Sequence, residues 1–378
     1  MGKKLLKTIT LLCFIFILFT FPIRAQEDTS NNQEIKYKAK IVDILYEECP
    51  EEYTKGNCYF FNLEIIEGDK TGEQIESIAS PNDDPKLDSL NYKKGQKVYV
   101  VETQVADETQ YYVKEPIRNK SQLTLLIIFI VLVVLIGGLQ GFTSLLGLGI
   151  SFIILIAFVI PMMLSGANPI IASIIGSSII MTTSVYLSHG FNKKTSIALI
   201  GTLISLILTA ILASIYTQFS RLTGYSTDEA TFLIQLIDKP LNMQGILLAS
   251  IIIGGIGILD DITVSQVSTI VELFKANSSF TWQQLFKRSM RVGRDHISSM
   301  VNTLVLAYTG SALPLIMLFI ASGAELNEIL NTEIIAEEIV RTLVGSIGLI
   351  LAVPITSLIA CIIITGKQSS NIQRRIPR

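Results

Sequence analysis

Long apolar segments dominate the chain after Ser121 and determine the architecture that the sequence predicts. They lie at about 122–139, 144–164, 169–188, 196–217, 243–259, 296–320 and 340–365. Each has close to the roughly 20 apolar residues that an α-helix needs to cross a bilayer. We therefore predict an α-helical polytopic membrane domain of about seven spans over residues 121–366, followed by a basic tail over residues 367–378.

A shorter apolar segment of a different kind stands at the N-terminus. Lys3, Lys4 and Lys7 precede 13 mostly apolar residues, from Ile9 to Phe21. A basic start followed by a short apolar stretch is typical of a secretory signal. We predict a signal peptide over residues 1–25. An uncleaved anchor helix is the alternative, and both place residue 26 on the same side of the membrane.

Residues 26–120 lack long apolar segments and have the pattern of β-strands. Three stretches mix β-branched, aromatic and charged residues, and a fourth is shorter; they are Tyr37–Ile44, Cys58–Ile66, Lys97–Val105 and Gln110–Lys114. Clusters of Gly, Asn, Asp and Pro separate them, as expected of turns. The pattern predicts a small antiparallel β domain of about five strands, arranged as a partly open barrel.

Composition narrows the class of protein. Apolar residues make up 49% of the chain and charged residues only 16%, with a mean hydropathy of +0.51. Charged residues supply about a quarter of a typical soluble domain, so a soluble enzyme is excluded. Residues 26–120 carry a net charge of −8 and residues 121–378 one of +2. Without a basic face, we expect no nucleic-acid partner.

The distribution of Lys and Arg predicts the orientation in the membrane. Eleven of these residues fall in one alternating set of segments, namely 140–143, 188–195, 260–295 and the tail. The opposite set, 165–168, 218–242 and 321–339, contains only Arg221 and Lys239. Basic residues concentrate in cytoplasmic loops. We therefore predict a plasma-membrane protein whose β domain is extracytoplasmic and whose C-terminus is cytoplasmic.

Two cysteines belong to the predicted outer domain. Cys49 and Cys58 are separated by nine positions, whereas Cys13 lies in the signal and Cys361 in the last apolar segment. An even number of cysteines in an oxidising compartment predicts a disulfide. A zinc site is not expected, because this domain contains no histidine to complete a set of four ligands.

Two polar clusters lie at the ends of apolar segments. The first follows the fifth segment and comprises Asp260, Asp261, Thr263, Ser265 and Gln266; the second opens the sixth and comprises Asp295, His296, Ser298, Ser299 and Asn302, with Tyr308 further along. On a helix, Asp295, Ser298, Ser299 and Asn302 share one face. Polar groups in membrane segments are costly and commonly functional.

The first interpretation is that both clusters form one polar site between spans five and six. Oxygen donors dominate it, which favours a hard cation or a proton over a soft metal. The alternative is that Asp260, Asp261 and Asp295 only cap helices that begin near them. We predict that His189, at the end of the third segment, is an interface residue and not a ligand.

Sequence motifs for energy coupling and hydrolysis are absent. The chain has no Gly-x-x-x-x-Gly-Lys-Ser/Thr, no His-Glu-x-x-His and no Gly-x-Ser-x-Gly, so neither nucleotide hydrolysis nor an enzyme is expected. The segment from Gly255 to Asp260 resembles the Gly-x-Gly-Asp of intramembrane aspartyl proteases. Its aspartate comes two residues too late and no second span supplies a partner, so we disfavour this reaction. No cofactor is expected.

Two long motifs carry a resemblance to a known family. They are Gly257–Gln266 (Gly-Ile-Leu-Asp-Asp-Ile-Thr-Val-Ser-Gln) and Gly293–Pro314, which begins Gly-Arg-Asp-His-Ile-Ser-Ser-Met-Val-Asn. The chain resembles the bacterial YibE/F-like membrane protein family over roughly residues 121–365, and its exported domain resembles the longer YibE-like members. The resemblance implies a bacterial membrane protein, with a second family member or a homo-oligomer as partner beside the lipid bilayer. It implies no defined biochemical activity.

These observations favour a permease-like or channel-like protein that hydrolyses no nucleotide. The alternative is a non-transporting scaffold or sensor that uses the outer β domain to bind a partner or ligand.

Overall fold

The computed structural model describes residues 35–50, 56–82, 84, 86–105, 108–237 and 239–373. The predicted signal peptide, and residues 374–378 of the predicted tail, lie outside the described residues. The chain divides into two compact units with a boundary near residue 132. The first contains an antiparallel sheet and the second is helical, as the sequence predicts.

Five strands form one antiparallel sheet within the described part of the first unit. They are β1 (Ile35–Glu48), β2 (Asn57–Glu67), β3 (Gln74–Ala79), β4 (Lys97–Val105) and β5 (Glu108–Pro116), with the short helix α1 (Lys86–Leu90) between β3 and β4. The order across the sheet is β3-β2-β1-β4-β5. The four stretches predicted from the sequence lie within β1, β2, β4 and β5, whereas β3 was not located in advance.

Strand β1 is the centre of the sheet and allows it to curl. Its pairing with β2 shifts register at Lys38/Ala39 and again between Ile41 and Asp43. Such irregularities bend a strand and increase its twist. The edge strands β3 and β5 consequently come together, with Cα atoms within 8 Å. The sheet is therefore the partly open barrel that the sequence predicts, with a core of alternating residues on β2, namely Phe61, Leu63 and Ile65.

Two cross-links hold loops of this unit in place. The Sγ atoms of Cys49 and Cys58 form a disulfide, which joins the end of β1 to the start of β2. Lys70, in the turn after β2, donates to Glu102 of β4 and to the Tyr111 hydroxyl of β5, each at 2.9 Å. These bonds to Tyr111 and Glu102 hold the pKa of Lys70 above its ordinary value.

The second unit is built from helices. They are α2 (Asn119–Ile154), a π-helical turn (Leu155–Val159), α3 (Ile160–Leu164), α4 (Pro169–His189), α5 (Lys193–Phe219), α6 (Asp228–Leu236), α7 (Met243–Ala276), α8 (Trp282–Ser311), α9 (Leu313–Ala321), α10 (Leu326–Asn331) and α11 (Glu333–Gln373). Among the described residues, five helical stretches are long and apolar enough to cross a membrane: 119–164, 169–189, 193–219, 243–276 and 333–366. The pair α8 and α9, bent by 60° beside Pro314, would be a sixth.

A glycine interrupts the first of these stretches. Gly138 has φ 57° and ψ −138°, which is not helical. A Cβ built on Gly141 would lie 2.2 Å from the carbonyl oxygen of Val133, although residues eight apart in a straight helix are about 12 Å apart along the axis. The chain therefore folds back near Gly138, close to the turn predicted between the first two spans.

The directions of the main helices follow from paired contacts. Gly201 of α5 lies against Thr356 of α11, and Thr209 lies against Gly348, so α5 and α11 are antiparallel. Thr202 of α5 and Thr263 of α7 share a hydrogen bond of 2.6 Å. Small residues at these crossings let the helix backbones approach closely, as is common in membrane bundles.

Helices α4 and α7 run side by side in the same direction. Pro169 at the start of α4 contacts the position of a Cβ on Gly245, at the start of α7. Towards the other end, residues of both helices line one cavity. Their buried aliphatic residues, with those of α5 and α11, form the largest apolar core of the unit, which includes Met181, Leu206, Ile252 and Val353.

Candidate functional site

Helix α7 continues well past the fifth apolar segment, and this decides how its polar residues are arranged. Asp260 and Asp261 lie in the middle of α7, and Asp295 lies in the interior of α8. A capping residue stands at a helix terminus, so the alternative that these three aspartates cap helices is wrong. The observed caps are Asn242 for α7 and Thr281 for α8.

One face of α7 contributes to a polar cavity of about 360 Å³. The residues of α7 that line it recur at helical spacing and are Gly257, Asp260, Asp261, Val264, Ser265 and Ser268. Helix α4 adds Ser184, Ser188 and His189, and helix α2 adds Ser144. The cavity therefore joins two carboxylates, one imidazole and five serine hydroxyls from three helices.

Local features of the three helices bring these groups together. Helix α2 packs against α4 at Gly147, where a Cβ would lie 3.5 Å from Ser184, an ordinary van der Waals contact. Helix α4 ends at Gly190, whose φ of 75° suits glycine. The side chain of Asn192 then caps α5 by accepting from Thr195 N at 2.9 Å. Gly257 leaves space in the cavity, because a Cβ there would meet no atom within 4 Å.

Asp260 is the most constrained charged group of the cavity. Its Oδ1 atom is buried and has no hydrogen-bond partner in the described part of the chain, whereas Asp261 is exposed. A buried carboxylate is costly unless a proton, a cation or hydrogen-bond donors compensate it. Among the described residues, none of the ten that line the cavity is Lys or Arg. The cavity is consequently suited to a positive ligand.

The donor set limits which ligand fits. No group of three or more His, Cys, Asp or Glu side chains that could hold a metal ion occurs among the described residues. Transition metals and Ca²⁺ usually require several charged or imidazole ligands in one place. Two carboxylates and several hydroxyl groups in a space for several waters fit a proton or a partly hydrated cation better.

Two residues of the first cluster face away from the cavity. Thr263 is fully buried and bonds to Thr202 of α5 at 2.6 Å. Gln266, which is 2% exposed, donates to Ser289 O of α8 at 3.2 Å and to Ser357 Oγ of α11 at 2.8 Å. Gln266 therefore joins three helices, and both residues have a packing role that their proximity to Asp260 in the sequence conceals.

The second cluster lies on α8 and does not line the cavity. Asp295, Ser298, Ser299 and Asn302 share one exposed face, as the helical spacing predicts. His296 is half-buried, and the Tyr308 hydroxyl lies 3.8 Å from the position of a Cβ on Gly254. The opposite face of α8 packs on the core through Ile297, Met300, Val301 and Leu304. The structure therefore does not bring the two clusters into one cavity.

The sequence pattern does not identify five of the residues that line the cavity, namely Ser144, Ser184, Ser188, His189 and Ser268. His189 was expected at an interface, yet it lines the cavity. A usable signal exists in the sequence, because Ser184 and Ser188 are one turn apart at the end of an apolar segment and His189 follows Ser188 directly. That end shares the predicted membrane side of Asp260 and Asp261.

Comparison with known proteins identifies a family to which the chain is similar. Residues 125–366 match the sequence model of a family described as YibE/F-like protein. No curated protein and no solved structure matches the chain.

Proposed function

We propose that this chain, which belongs to the YibE/F-like family, is a permease-like or channel-like membrane protein. A proton or monovalent cation is bound at the cavity around Asp260 and passes through it. The sequence contains no Gly-x-x-x-x-Gly-Lys-Ser/Thr motif, and the proposed energy source is an ion gradient or none.

The observation that carries this proposal is the buried, unpartnered Oδ1 atom of Asp260 in a serine-lined cavity. A water molecule occupies about 30 Å³ in the liquid, so a volume of about 360 Å³ has room for several waters around one ion. Burying a carboxylate oxygen without a partner destabilises the fold. A protein that only holds others together has no need of such a group, whereas a cation-binding protein does.

The proposed topology has seven spans, with the β domain outside the cell and the C-terminus in the cytoplasm. The excess of Lys and Arg in alternate segments supports this orientation. The fold-back near Gly138 supports two spans within residues 119–164. In this topology α4 and α7 are spans three and five, which must be parallel, and they are. Helices α5 and α11 are spans four and seven, which must be antiparallel, and they are. The cavity then opens in the cytoplasmic half.

A second candidate function is a membrane scaffold or sensor that works through association. The exposed face of α8 supports it, because polar side chains in membrane helices usually face protein or water and not lipid. The partner would be a second YibE/F-like protein or a second copy of this chain. Disulfide cross-linking of Asn302→Cys between chains in native membranes would support association, and its absence would count against it.

Flux through proteoliposomes tests the proposed function directly. The full-length protein is reconstituted, an inside-negative potential is imposed, and entry of protons and of Na⁺ is followed with internal dyes. We expect flux above protein-free liposomes, and a loss of more than about tenfold in Asp260→Asn, since tenfold corresponds to only about 1.4 kcal/mol of barrier.

Asp295→Asn is the matched control, because it removes the same charge from an exposed position outside the cavity. Flux equal to that of protein-free liposomes for both ions would refute conduction of these ions. Equal flux in Asp260→Asn and Asp295→Asn would instead show that the cavity is not the path.

A further inference from the structure

A second buried carboxylate lies at the opposite end of the helical unit. Glu337, near the start of α11, is 6% exposed. Its Oε1 atom is buried without a hydrogen-bond partner among the described residues. Helix α11 runs antiparallel to α5. Helix α7 does so too, because Thr263 bonds to Thr202 while Leu247 packs with Ala213. The cavity around Asp260 is lined by the middle of α7 and the turns that follow it. Glu337 is therefore remote from that cavity.

Other buried polar atoms without partners are concentrated on the elements around Glu337. They belong to Thr217 of α5, to Ser226 of the segment after α5, and to Arg341 and Ser346 of α11. The Ser226 hydroxyl lies within hydrogen-bonding reach of the Glu337 carboxylate, but no bond of good geometry joins it to Oε1. The pairs Gly201–Thr356 and Thr209–Gly348 fix the antiparallel register, which continues to Thr217 opposite Val340. Buried polar atoms are nearly always satisfied in folded proteins, so such a concentration requires an explanation.

Arg341 and the Ser226 hydroxyl give Glu337 only partial compensation, because the neighbouring charged groups already have other partners. Glu333 accepts hydrogen bonds from the Thr223 hydroxyl at 2.7 Å and from Gly224 N at 3.2 Å. Arg341 forms an ion pair with Glu338. The charged groups that act on Glu337 are Glu333, Glu338 and Arg341, all on α11. This part of α11 therefore carries three carboxylates and one guanidinium. That guanidinium, on Arg341, is already paired with Glu338.

We propose that Glu337 and Ser226 form a second binding site, which takes one monovalent cation. The donors are a carboxylate and hydroxyl oxygens, which suit hard cations. A single carboxylate matches a single positive charge, whereas Ca²⁺ normally recruits more carboxylate ligands. The cation is a proton or an alkali-metal ion, since both use the same oxygen chemistry. This site stands on its own geometry and does not depend on the proposed flux.

Thermal unfolding of the full-length protein in detergent micelles tests the site. The midpoint Tm is measured at constant ionic strength with choline replaced by Na⁺ or K⁺, and separately across pH. Binding to the folded state alone raises Tm. We expect Tm to rise by up to about 2–4 °C. Dependence on Na⁺ or K⁺ identifies an alkali-metal ion, and dependence on pH alone identifies a proton.

Glu337→Gln should abolish the part of the response that this site contributes. Glu328→Gln is the matched control, because it removes one carboxylate from an exposed position on α10 and should leave the response intact. If Glu337→Gln does not fold, Ser226→Ala keeps the carboxylate and should weaken the response. Equal salt and pH responses in the Glu337 or Ser226 variant and in the control would overturn the proposal.

Discussion

The contact between α5 and α11 makes Gly348 a sharp test of the helical packing. A Cβ at this position would lie 2.2 Å from Thr209 Oγ1 and 3.2 Å from Thr209 Cβ and Cγ2. Optimal contacts between such atoms are about 3.5 Å, so Gly348→Ala requires a movement of about 1 Å. The Thr209 hydroxyl is buried and donates to Ser205 O at 2.8 Å. Turning it away would leave a buried polar group unpaired.

The expected free-energy change is the balance of three effects. Overpacking a tight interior costs about 1–3 kcal/mol. A lost intramolecular hydrogen bond adds about 0.5–1.5 kcal/mol. Replacing a helical glycine by alanine stabilises the folded helix by about 1 kcal/mol, because alanine loses less backbone entropy on folding. We therefore expect Gly348→Ala to destabilise the helical unit by about 0.5–3.5 kcal/mol.

Gly345→Ala is the matched control, because it lies one turn earlier in α11 and its Cβ would meet no atom within 4 Å. It should be neutral or stabilising by up to about 1 kcal/mol. Both variants are measured by equilibrium unfolding of the full-length protein in mixed micelles, followed by circular dichroism. Adding Thr209→Ala to Gly348→Ala should recover part of the loss as a coupling energy. Equal stability of the two glycine variants would refute the close approach of α5 and α11.

Four further predictions address the cavity, the β domain and the topology. Gly257→Leu should reduce ion flux in proteoliposomes without lowering Tm, because its side chain enters open space in the cavity. Lys70→Met should lower Tm. Since folding raises the pKa of Lys70 through Tyr111 and Glu102, the loss should be constant at neutral pH and shrink as pH rises from the pKa of the unfolded state towards that of the folded state. Cys49→Ser should cost about 2–3 kcal/mol for a loop of nine residues, and alkylation of the non-reduced wild type should find neither Cys49 nor Cys58 free. An impermeant thiol reagent applied to intact cells should label Leu326→Cys and spare Phe280→Cys, and the reverse pattern would contradict the orientation.

The β domain was predictable where its sequence alternates strongly. Strand β2 carries Phe61, Leu63 and Ile65 on its buried side, so its period is visible over many residues. Strand β3 has only six residues, Gln74–Ala79, and two of them are Gln74 and Glu76. Its position depends on pairing with β2, and a pattern within one short segment does not contain that information.

Helix ends in the second unit were less predictable than the apolar segments themselves. The fifth segment stops at Leu259, yet α7 continues to Ala276; the sixth begins near His296, yet α8 starts at Trp282. Hydropathy marks where a helix is surrounded by apolar material, not where its backbone hydrogen bonds end. For this reason, aspartates that look like caps in the sequence lie inside helices.

The position of the candidate site follows from geometry that chain order does not reveal. Consecutive residues of a helix turn by about 100°, so residues 260, 261, 264, 265 and 268 of α7 fall within one face. Residues 263 and 266 fall on the other side. In the folded bundle, α2 and α4 lie next to the first face, and α5, α8 and α11 contact the second face. Once α7 is treated as continuous, the sequence alone separates the cavity residues Asp260, Asp261 and Ser265 from the packing residues Thr263 and Gln266. Which helix covers each face depends on contacts such as Gly147 with Ser184 and Gly293 with Gln266, and those arise only from the folded bundle.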